Sequence, residues 1–363
     1  MRIQAALAES PGGPFALHSL HLDAPRPDEI LVRITATGIC HTDLAMRQVW
    51  PRERLPMVFG HEGAGVVEAV GDAVTTVAPG DTVCLTYRSC GACDPCTTGG
   101  PAYCEQSGAL NALGSRPDGS TTLSHTDGTP AYGSFFGQSA FATHCLTTAS
   151  NTVKVPADLP PTLVAPLGCS VQTGVGTVQN VLRPSPGSTL AVFGAGSVGL
   201  SALMAAVADG HTVIAIEPLA ARRALAKELG AAAVIDPTAE EEVAAAVRDL
   251  THGGAQYALD TTGRPAVVSQ AIGALRQRGT LALVGIGSAQ FDTMPVLTKG
   301  LTLRGVTEGD ALPAVTIPHL ISLHRQGKLP LEKLITAFPF TDIEAAAEAS
   351  LAGRVIKPVL TLG

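Results

Sequence analysis

The chain has 363 residues, of which 45% are hydrophobic and 15% are charged. This length predicts about two domains, and the composition supplies enough apolar material for large cores while excluding a disordered chain. With a formal net charge of −7 and no run of Lys or Arg, nucleic acid and anionic membranes are not expected partners.

Residues 1–165 contain many short β-like runs separated by Gly, Pro and Asp, such as EILVRITATGI, GAGVVEAVG and GDTVCLTY. This pattern predicts an all-β domain of short strands. The first ten residues, MRIQAALAES, include no apolar run of signal-peptide length. We therefore expect a soluble cytoplasmic protein.

From about residue 170, apolar β-like runs alternate with helical patterns, beginning with TLAVFGAG, SVGLSALMAAVADG and TVIAIE. This alternation predicts a doubly wound parallel sheet. Residues 190–208 carry no charge, but three glycines interrupt them, which favours a strand, a turn and a helix over a membrane span. GLTLRGV, residues 300–306, is predicted to be the last strand of this sheet, and its apolar edge predicts a homodimer or a homotetramer.

Four of the eight cysteines lie in CGACDPCTTGGPAYC, with the spacing C-x2-C-x2-C-x7-C: Cys90, Cys93, Cys96 and Cys104. Four thiolates can enclose a tetrahedral Zn²⁺ and leave no open position, which is typical of a structural site. The alternatives are an iron–sulfur cluster or inert buried thiols. The ferredoxin spacing is incomplete, because Cys96 is not followed after three residues by Cys-Pro.

The stretch VFGAGSVG places Gly194, Gly196 and Gly199 between a predicted strand and a predicted helix. Glu217 ends the next predicted strand, 18 residues after Gly199. This context predicts a dinucleotide site, with the pyrophosphate at the helix N-terminus and the acid on the adenosine ribose. The alternative is a tight turn followed by a surface acid.

A second metal site is predicted from three separate segments, GICHTDL, GHEGAGVVEAVG and GCSVQTGVG, which supply Cys40, His61 and Cys169. Two cysteines, one histidine and an open fourth position are typical of a catalytic zinc. Taken singly, the cysteines could be packed thiols and the histidine a loop residue. Their occurrence together with a dinucleotide motif favours the metal site.

These motifs, together with CGACDPCTTGGPAYC, VFGAGSVG and RVIKPVL, occur in the order found in the zinc-containing medium-chain alcohol dehydrogenases, which the chain resembles from end to end. CHTDL and GSFFGQSAFATH are most similar to the aryl (benzyl) alcohol dehydrogenase branch. The resemblance implies an α/β fold. A GroES-like β-rich catalytic domain of residues 1–170, completed by residues 307–363, would accompany a Rossmann doubly wound parallel-sheet domain of residues 171–306 that binds NAD.

The resemblance implies an oxidoreductase that uses NAD(H), one catalytic Zn²⁺ and one structural Zn²⁺ to interconvert a primary alcohol and its aldehyde. It implies that Thr42 takes the proton of the alcohol, that the Asp43 carboxylate orients the ligand His61, and that Glu62, next to His61 in the sequence, is the acid that the family places behind the metal ligands. Ala45 occupies the position at which liver-type members carry a proton-relaying histidine. The cofactor contacts that it implies are His41, Thr173, Gly194, Gly196, Gly199, Glu217, Arg222 and Lys357.

The substrate is predicted from aromatic residues, which are few: the chain has 1 Trp, 4 Tyr and 9 Phe. Segments expected near the zinc contain Trp50, Tyr87, Phe135 and Phe136, which predicts a flat apolar pocket for a primary aryl or allylic alcohol. Alternatively, these rings pack the β-domain core. Nearby Arg47, Arg52, Arg54 and Arg88 are expected to be solvated. The rival functions are a biosynthetic reductase of a complex natural product, a secondary-alcohol or polyol dehydrogenase, and a nucleotide-sensing zinc protein without catalysis.

Overall fold

A computed structural model describes all residues, 1–363, and divides them into two compact units. The β-rich unit comprises Met1–Cys169, Leu312–Pro318 and Leu331–Gly363. The parallel-sheet unit comprises Ser170–Ala311 and His319–Pro330. Strands and helices are numbered below in chain order.

The segment before residue 170 contains the strands β1 (Arg2–Ala8), β2 (Phe15–Leu22), β3 (Glu29–Gly38), β4 (Met57–Val58), β5 (Glu62–Val70), β6 (Thr82–Leu85), β7 (Leu123–Ser124), β8 (Pro130–Ala131), β9 (His144–Thr148) and β10 (Thr152–Lys154). Its helices are α1 (His41–Val49), α2 (Asp94–Thr97), α3 (Ser107–Asn111) and α4 (Pro161–Val164).

The middle segment contains the strands β11 (Thr189–Phe193), β12 (Thr212–Ile216), β13 (Ala233–Ile235), β14 (Ala255–Asp260), β15 (Leu275–Leu283) and β16 (Thr302–Gly305). Its helices are α5 (Ser170–Gly176), α6 (Ser197–Ala208), α7 (Ala220–Glu228), α8 (Val243–Leu250), α9 (Pro265–Ala274) and α10 (Met294–Lys299). The last segment contains α11 (Pro313–Arg325), β17 (Ile335–Pro339), α12 (Ile343–Leu351) and β18 (Lys357–Thr361).

Two largely antiparallel sheets form the β-rich unit, with the strand orders β4-β1-β2-β7-β8 and β10-β6-β5-β3-β18-β17. The central strand β3 has the sequence EILVRITATG, whose branched apolar residues suit a buried strand. It pairs with β5, β9 and β18. Its pairing with β5 sets Gly38 opposite Glu62, so the end of β3 lies beside the predicted metal residues.

The parallel-sheet unit has the strand order β13-β12-β11-β14-β15-β16, with every neighbouring pair parallel. This order confirms the predicted doubly wound sheet, because it reverses between β11 and β14, where such sheets bind dinucleotides. The strands β11 and β12 are apolar along almost their whole length, since both sheet faces are buried. The uncharged residues 190–208 form β11, a turn and α6. No helix combines the length and the apolar composition that a membrane crossing requires.

Candidate active site and metal centres

The predicted ligands of the catalytic metal lie together in the β-rich unit. Cys40 immediately precedes α1, His61 immediately precedes β5, and Cys169 follows the short turn Ala165–Gly168. Together with a carboxylate oxygen of Glu62, their ligand atoms all lie within 4.8 Å of one another. His61 Nε2 is buried without a hydrogen-bond partner, which suits a metal ligand. Two thiols and this orphaned ring nitrogen fit Zn²⁺.

Asp43 fixes the orientation of the ligand His61. Its fully buried carboxylate accepts hydrogen bonds from His61 Nδ1 at 2.7 Å, from the Gly60 amide at 3.1 Å and from the Cys40 amide at 2.9 Å. A carboxylate can only accept here, so Nδ1 carries a proton, and Nε2 is the ring nitrogen left to bind a metal. One acid thus holds two of the three ligand segments.

The electrostatics of the site favour thiolate at Cys40. The hydrogen bond from Cys169 and the charge of His61 hold the pKa of Cys40 well below its ordinary value, although burial opposes this shift. Burial by itself lowers the pKa of His61, but Asp43 and Cys40 together raise it well above its ordinary value. A thiolate is the form of cysteine that binds metal.

Glu62 and Lys357 form a buried ion pair beside these ligands, with relative exposures of 0% and 2%. Lys357 Nζ donates to both carboxylate oxygens at 2.9 Å and to the Ile39 carbonyl at 3.3 Å. A side chain at Gly38 would place Cβ only 2.0 Å from Glu62 Oε2, so glycine is required there. The cofactor contact of Lys357 stays a prediction; in this structure its ammonium is buried and donates to Glu62.

The pKa values of this pair reflect its burial. Burial raises the pKa of Glu62, against the opposing effect of Lys357. Burial alone lowers the pKa of Lys357, but Glu62 and Cys40 raise it above its ordinary value. Removal of either partner would leave an uncompensated buried charge, which is costly.

The four-cysteine loop forms a closed cradle. The sulfur atoms of Cys90, Cys93, Cys96 and Cys104 all lie within 4.8 Å of one another. Cys90 Sγ accepts hydrogen bonds from the amides of Ala92 and Cys93, which lower the pKa of Cys90 to about 6. Amide donors aimed at sulfur stabilise thiolate, so the loop fits a tetrahedral Zn²⁺ with no open position.

The glycine loop has the geometry of a dinucleotide site. Gly194 has a φ of +94°, and Cβ atoms added at Gly194 and Gly199 would lie 2.4 Å from Thr261 Oγ1 and 1.9 Å from the Gly194 carbonyl. A Cβ at Gly196 would meet no atom within 4 Å, which leaves the approach to the N-terminus of α6 open. Two glycines are thus required by packing, and the third leaves the space that a pyrophosphate needs.

Glu217 follows β12, and its side chain is buried beside the glycine loop. Its carboxylate accepts hydrogen bonds from the Ala195 amide at 2.7 Å and the Leu219 amide at 3.0 Å. Arg223 is bound to Asp236 at 2.6 Å and donates to the Glu217 and Pro218 carbonyls. Half-buried Arg222 lies on α7.

The other predicted cofactor residues have separate positions. Exposed His41 is the first residue of α1. Thr173 lies on α5 in the parallel-sheet unit, where its hydroxyl donates to Glu308 Oε2 at 3.4 Å, the oxygen that also accepts from Gln172 Nε2 at 3.0 Å. Glu308 follows β16 and belongs to none of the sequence motifs, so this contact is visible only in the structure.

Comparison with known proteins agrees with this geometry. Residues 26–157 match the family described as alcohol dehydrogenase GroES-like domain, and residues 197–323 match the family described as zinc-binding dehydrogenase. The chain belongs to the zinc-containing medium-chain alcohol dehydrogenase family. It is 47% identical to geraniol dehydrogenase of Castellaniella defragrans, over 98% of this chain and 97% of that protein.

Solved structures of this family are also similar. Benzyl alcohol dehydrogenase from Acinetobacter calcoaceticus has a TM-score of 0.95 and 41% identity, with 100% of both chains covered. An alcohol dehydrogenase zinc-binding domain protein from Burkholderia ambifaria has a TM-score of 0.97 and 47% identity, with 100% of this chain and 99% of that chain covered. The predicted fold class and enzyme class are confirmed: the chain is an NAD-dependent zinc alcohol dehydrogenase.

The aromatic residues of this alcohol dehydrogenase divide between core and metal site. Trp50 and Phe135 are buried, with ring centroids 5.7 Å apart, and both rings meet Phe59 edge to face. Both rings belong to the core of the β-rich unit, and Phe135 also meets the His61 ring edge to face, with centroids 5.7 Å apart; Tyr87 is also buried. A substrate role for these three residues stays a prediction. Half-buried Phe136 instead stacks on the imidazole of the ligand His61, with centroids 4.6 Å apart and an interplanar angle of 28°.

Arg47 is buried, contrary to the expectation that it is solvated. Its guanidinium donates to Glu344 at 2.7 Å and lies 4.3 Å from the centroid of the Phe15 ring. An ion pair and a cation–π contact therefore compensate its burial. The hydrophobic spacing of α1 does not reveal this, because both partners come from distant segments.

Proposed function

We propose that this alcohol dehydrogenase interconverts a primary aryl or allylic alcohol and its aldehyde with NAD(H). The observation that carries the proposal is the aromatic ring of Phe136 stacked directly on the ligand His61. A flat ring beside the metal ligands favours a conjugated substrate carbon, because aromatic contacts contribute about 0.5–1.5 kcal/mol beyond burial. Similarity to geraniol and benzyl alcohol dehydrogenases supports the same substrate class.

The proposed roles follow from the geometry. Cys40, His61 and Cys169 would hold Zn²⁺, which would supply a Lewis acid to polarise the alcohol oxygen. Thr42, whose hydroxyl lies 3.7 Å from Cys40 Sγ, would relay the proton of the substrate hydroxyl: it would accept that proton and release its own hydroxyl proton toward solvent. Asp43 keeps the proton of His61 on Nδ1. The nicotinamide of NAD would supply the hydride acceptor, and the chain would bind and orient it.

The substrate proposal predicts a preference for conjugated alcohols. We expect benzyl alcohol to have a higher kcat/KM than cyclohexylmethanol, its saturated analogue, and than ethanol. Phe136→Leu should reduce the ratio of kcat/KM for benzyl alcohol to kcat/KM for cyclohexylmethanol by about 2- to 12-fold. This change corresponds to the loss of one aromatic contact. Phe338→Leu is the matched control, because Phe338 is also partly buried against the same core. A higher kcat/KM for ethanol would contradict the proposal.

We propose that the cofactor is NAD(H) in preference to NADP(H). The buried Glu217 carboxylate is held in place to accept hydrogen bonds from the ribose hydroxyls, and a 2′-phosphate would meet its negative charge. Arg223, a residue that could bind such a phosphate, is already paired with Asp236.

The cofactor proposal predicts a higher kcat/KM with NAD than with NADP. Glu217→Gln should reduce this preference by about 10- to 150-fold, since hydrogen bonds to charged groups contribute about 1.5–3 kcal/mol. Glu241→Gln, at an exposed acid of the same unit, should leave the preference unchanged. A wild-type enzyme that prefers NADP would refute the proposal.

We propose a homodimer, or a tetramer of two such dimers, formed through the edge of the parallel sheet. The strand β16 is the last strand at one end of the sheet and neighbours only β15 there, and exposed Ile286, Met294 and Leu297 lie in the same unit. A two-fold axis would pair β16 with its copy.

The assembly proposal predicts the mass of the protein in solution. Light scattering should give the mass of a dimer or tetramer at micromolar concentration. Leu297→Arg should shift this mass toward that of the monomer, because the variant would bury a charge in the contact between subunits. Leu351→Arg, at an exposed leucine of the β-rich unit, should not. A monomeric wild-type mass would rule the assembly out.

A further inference from the structure

The loop Ser134–Ser139 has an unusual backbone beside the catalytic metal residues. Four of its residues have left-handed φ values: Ser134 at 61°, Phe136 at 51°, Gly137 at 65° and Ser139 at 56°. For a residue other than glycine this conformation is unfavourable by about 1–3 kcal/mol, so surrounding contacts must impose it.

Two buried polar side chains impose this conformation. Ser139 Oγ accepts from the Phe135 amide at 2.8 Å and donates to the Val58 carbonyl at 2.6 Å. Asn151 Nδ2 donates to the Phe136 carbonyl at 3.3 Å and the Gly137 carbonyl at 3.1 Å. These hydrogen bonds hold the loop in place, and they thereby fix the position of Gln138 within it.

The Gln138 amide links the segment of the ligand His61 to Thr86, the residue that follows β6. Its side chain is 1% exposed, and Nε2 donates to the His61 carbonyl at 2.9 Å and to the Thr86 carbonyl at 3.0 Å. Its Oε1 accepts from the Gly63 amide at 3.1 Å. Three hydrogen bonds from one side chain thus fix the main chain on both sides of Glu62.

The linkage continues from Thr86 to the segment of another ligand. Fully buried Thr86 donates its hydroxyl to the Gly168 carbonyl at 2.6 Å, and Gly168 immediately precedes Cys169. A Cβ at Gly168 would lie 1.9 Å from the Leu85 carbonyl, so only glycine permits this close approach. A continuous chain of hydrogen bonds therefore connects the main chain at His61 with the main chain at Cys169.

We propose that Gln138 is a positioning residue of the catalytic zinc site, which sets the separation of His61 and Cys169 through their main chains and through Thr86. The inference rests on the proposed binding of zinc by Cys40, His61 and Cys169. Ligands that are already in place lose less conformational freedom on binding, so loss of the linkage weakens zinc binding without removing a ligand.

The test uses Gln138→Leu, which removes all three hydrogen bonds, and Thr86→Val, which keeps the shape and removes only the hydroxyl that binds Gly168. Zinc release to a chromophoric chelator is measured for the full-length protein, and Cys169→Ser identifies the zinc that belongs to the catalytic site. We expect the catalytic zinc of both variants to bind on the order of 10- to 100-fold more weakly, with the four-cysteine site unchanged. The visible spectrum of the Co²⁺-substituted protein should change in parallel.

Asn111→Leu is the matched control. The Asn111 amide is also buried, and it also makes three hydrogen bonds to main chain: it donates to Arg88 and Ser107 and accepts from Arg88. Both Asn111→Leu and Gln138→Leu should lower the melting temperature, but only Gln138→Leu should loosen the catalytic zinc.

Two results would overturn the inference, for different reasons. If Gln138→Leu and Thr86→Val both kept the wild-type zinc release and the wild-type cobalt spectrum, Gln138 would only stabilise the fold and would not position the zinc ligands. A zinc content that Cys169→Ser leaves unchanged would overturn the proposed metal site itself, and the inference with it.

Discussion

Cys169→Ser should lower kcat on the order of 10³-fold while the protein stays folded. The variant removes one of two thiols that, with His61, present their ligand atoms within 4.8 Å of one another, and a serine hydroxyl is a much weaker zinc ligand. Loss of Lewis-acid polarisation is worth several kcal/mol in the transition state, which corresponds to a rate loss of about this size. Steady-state kinetics with benzyl alcohol and NAD, together with zinc content and circular dichroism, measure the effect.

Cys145→Ser is the control for this experiment. Cys145 is also buried, but it packs in an apolar cluster of the β-rich unit, and burial raises the pKa of its thiol. It therefore has no tendency to ionise or to bind metal, and its replacement should leave kcat near the wild-type value. If Cys169→Ser retained most of its activity, Cys169 could not be a ligand of a catalytic zinc.

Cys90→Ser should lower the free energy of unfolding by about 3 kcal/mol or more, because a structural zinc contributes folding energy. Cys90 accepts two amide hydrogen bonds and its pKa is lowered to about 6, so near neutral pH it enters the site as a thiolate. The loop that it closes has little apolar burial of its own, since Cys90, Cys93 and Cys96 are only half-buried. Denaturant unfolding with and without a chelator measures the effect.

Cys84→Ser is the matched comparison for stability. The Cys84 thiol is buried and donates to the Val164 carbonyl at 3.4 Å, a contact that a serine hydroxyl can also make. Cys84→Ser should lower the free energy of unfolding by less than Cys90→Ser does. A chelator should not change the difference in unfolding free energy between Cys84→Ser and the wild type. An unfolding free energy that is insensitive to both Cys90→Ser and chelator would exclude a structural metal in the loop.

The sequence by itself determined those features that depend on local spacing. Four cysteines within fifteen residues can meet only in one loop, and the glycine pattern between β11 and α6 specifies a turn that side chains would obstruct. The alternation of apolar runs and helical patterns likewise determined the parallel sheet, because the period of a pattern reports the element that it forms. The ligand segments of Cys40, His61 and Cys169 were found through their motifs, and the structure places these three residues together.

Only the tertiary structure decided which distant groups become partners. Lys357 pairs with Glu62 across a separation of 295 residues, because β18 joins the sheet of β3 and β5. Phe135 and Phe136 are adjacent in sequence, yet Phe135 is fully buried and meets the His61 ring edge to face, whereas half-buried Phe136 stacks on the face of the same ring. The hydrogen bonds from Gln138 to Thr86 and from Thr86 to Gly168 likewise join separate segments, and no feature of the sequence of these segments predicts that they are in contact. Periodicity reports that a residue is buried, whereas the packing of strands far apart in sequence decides what it is buried against.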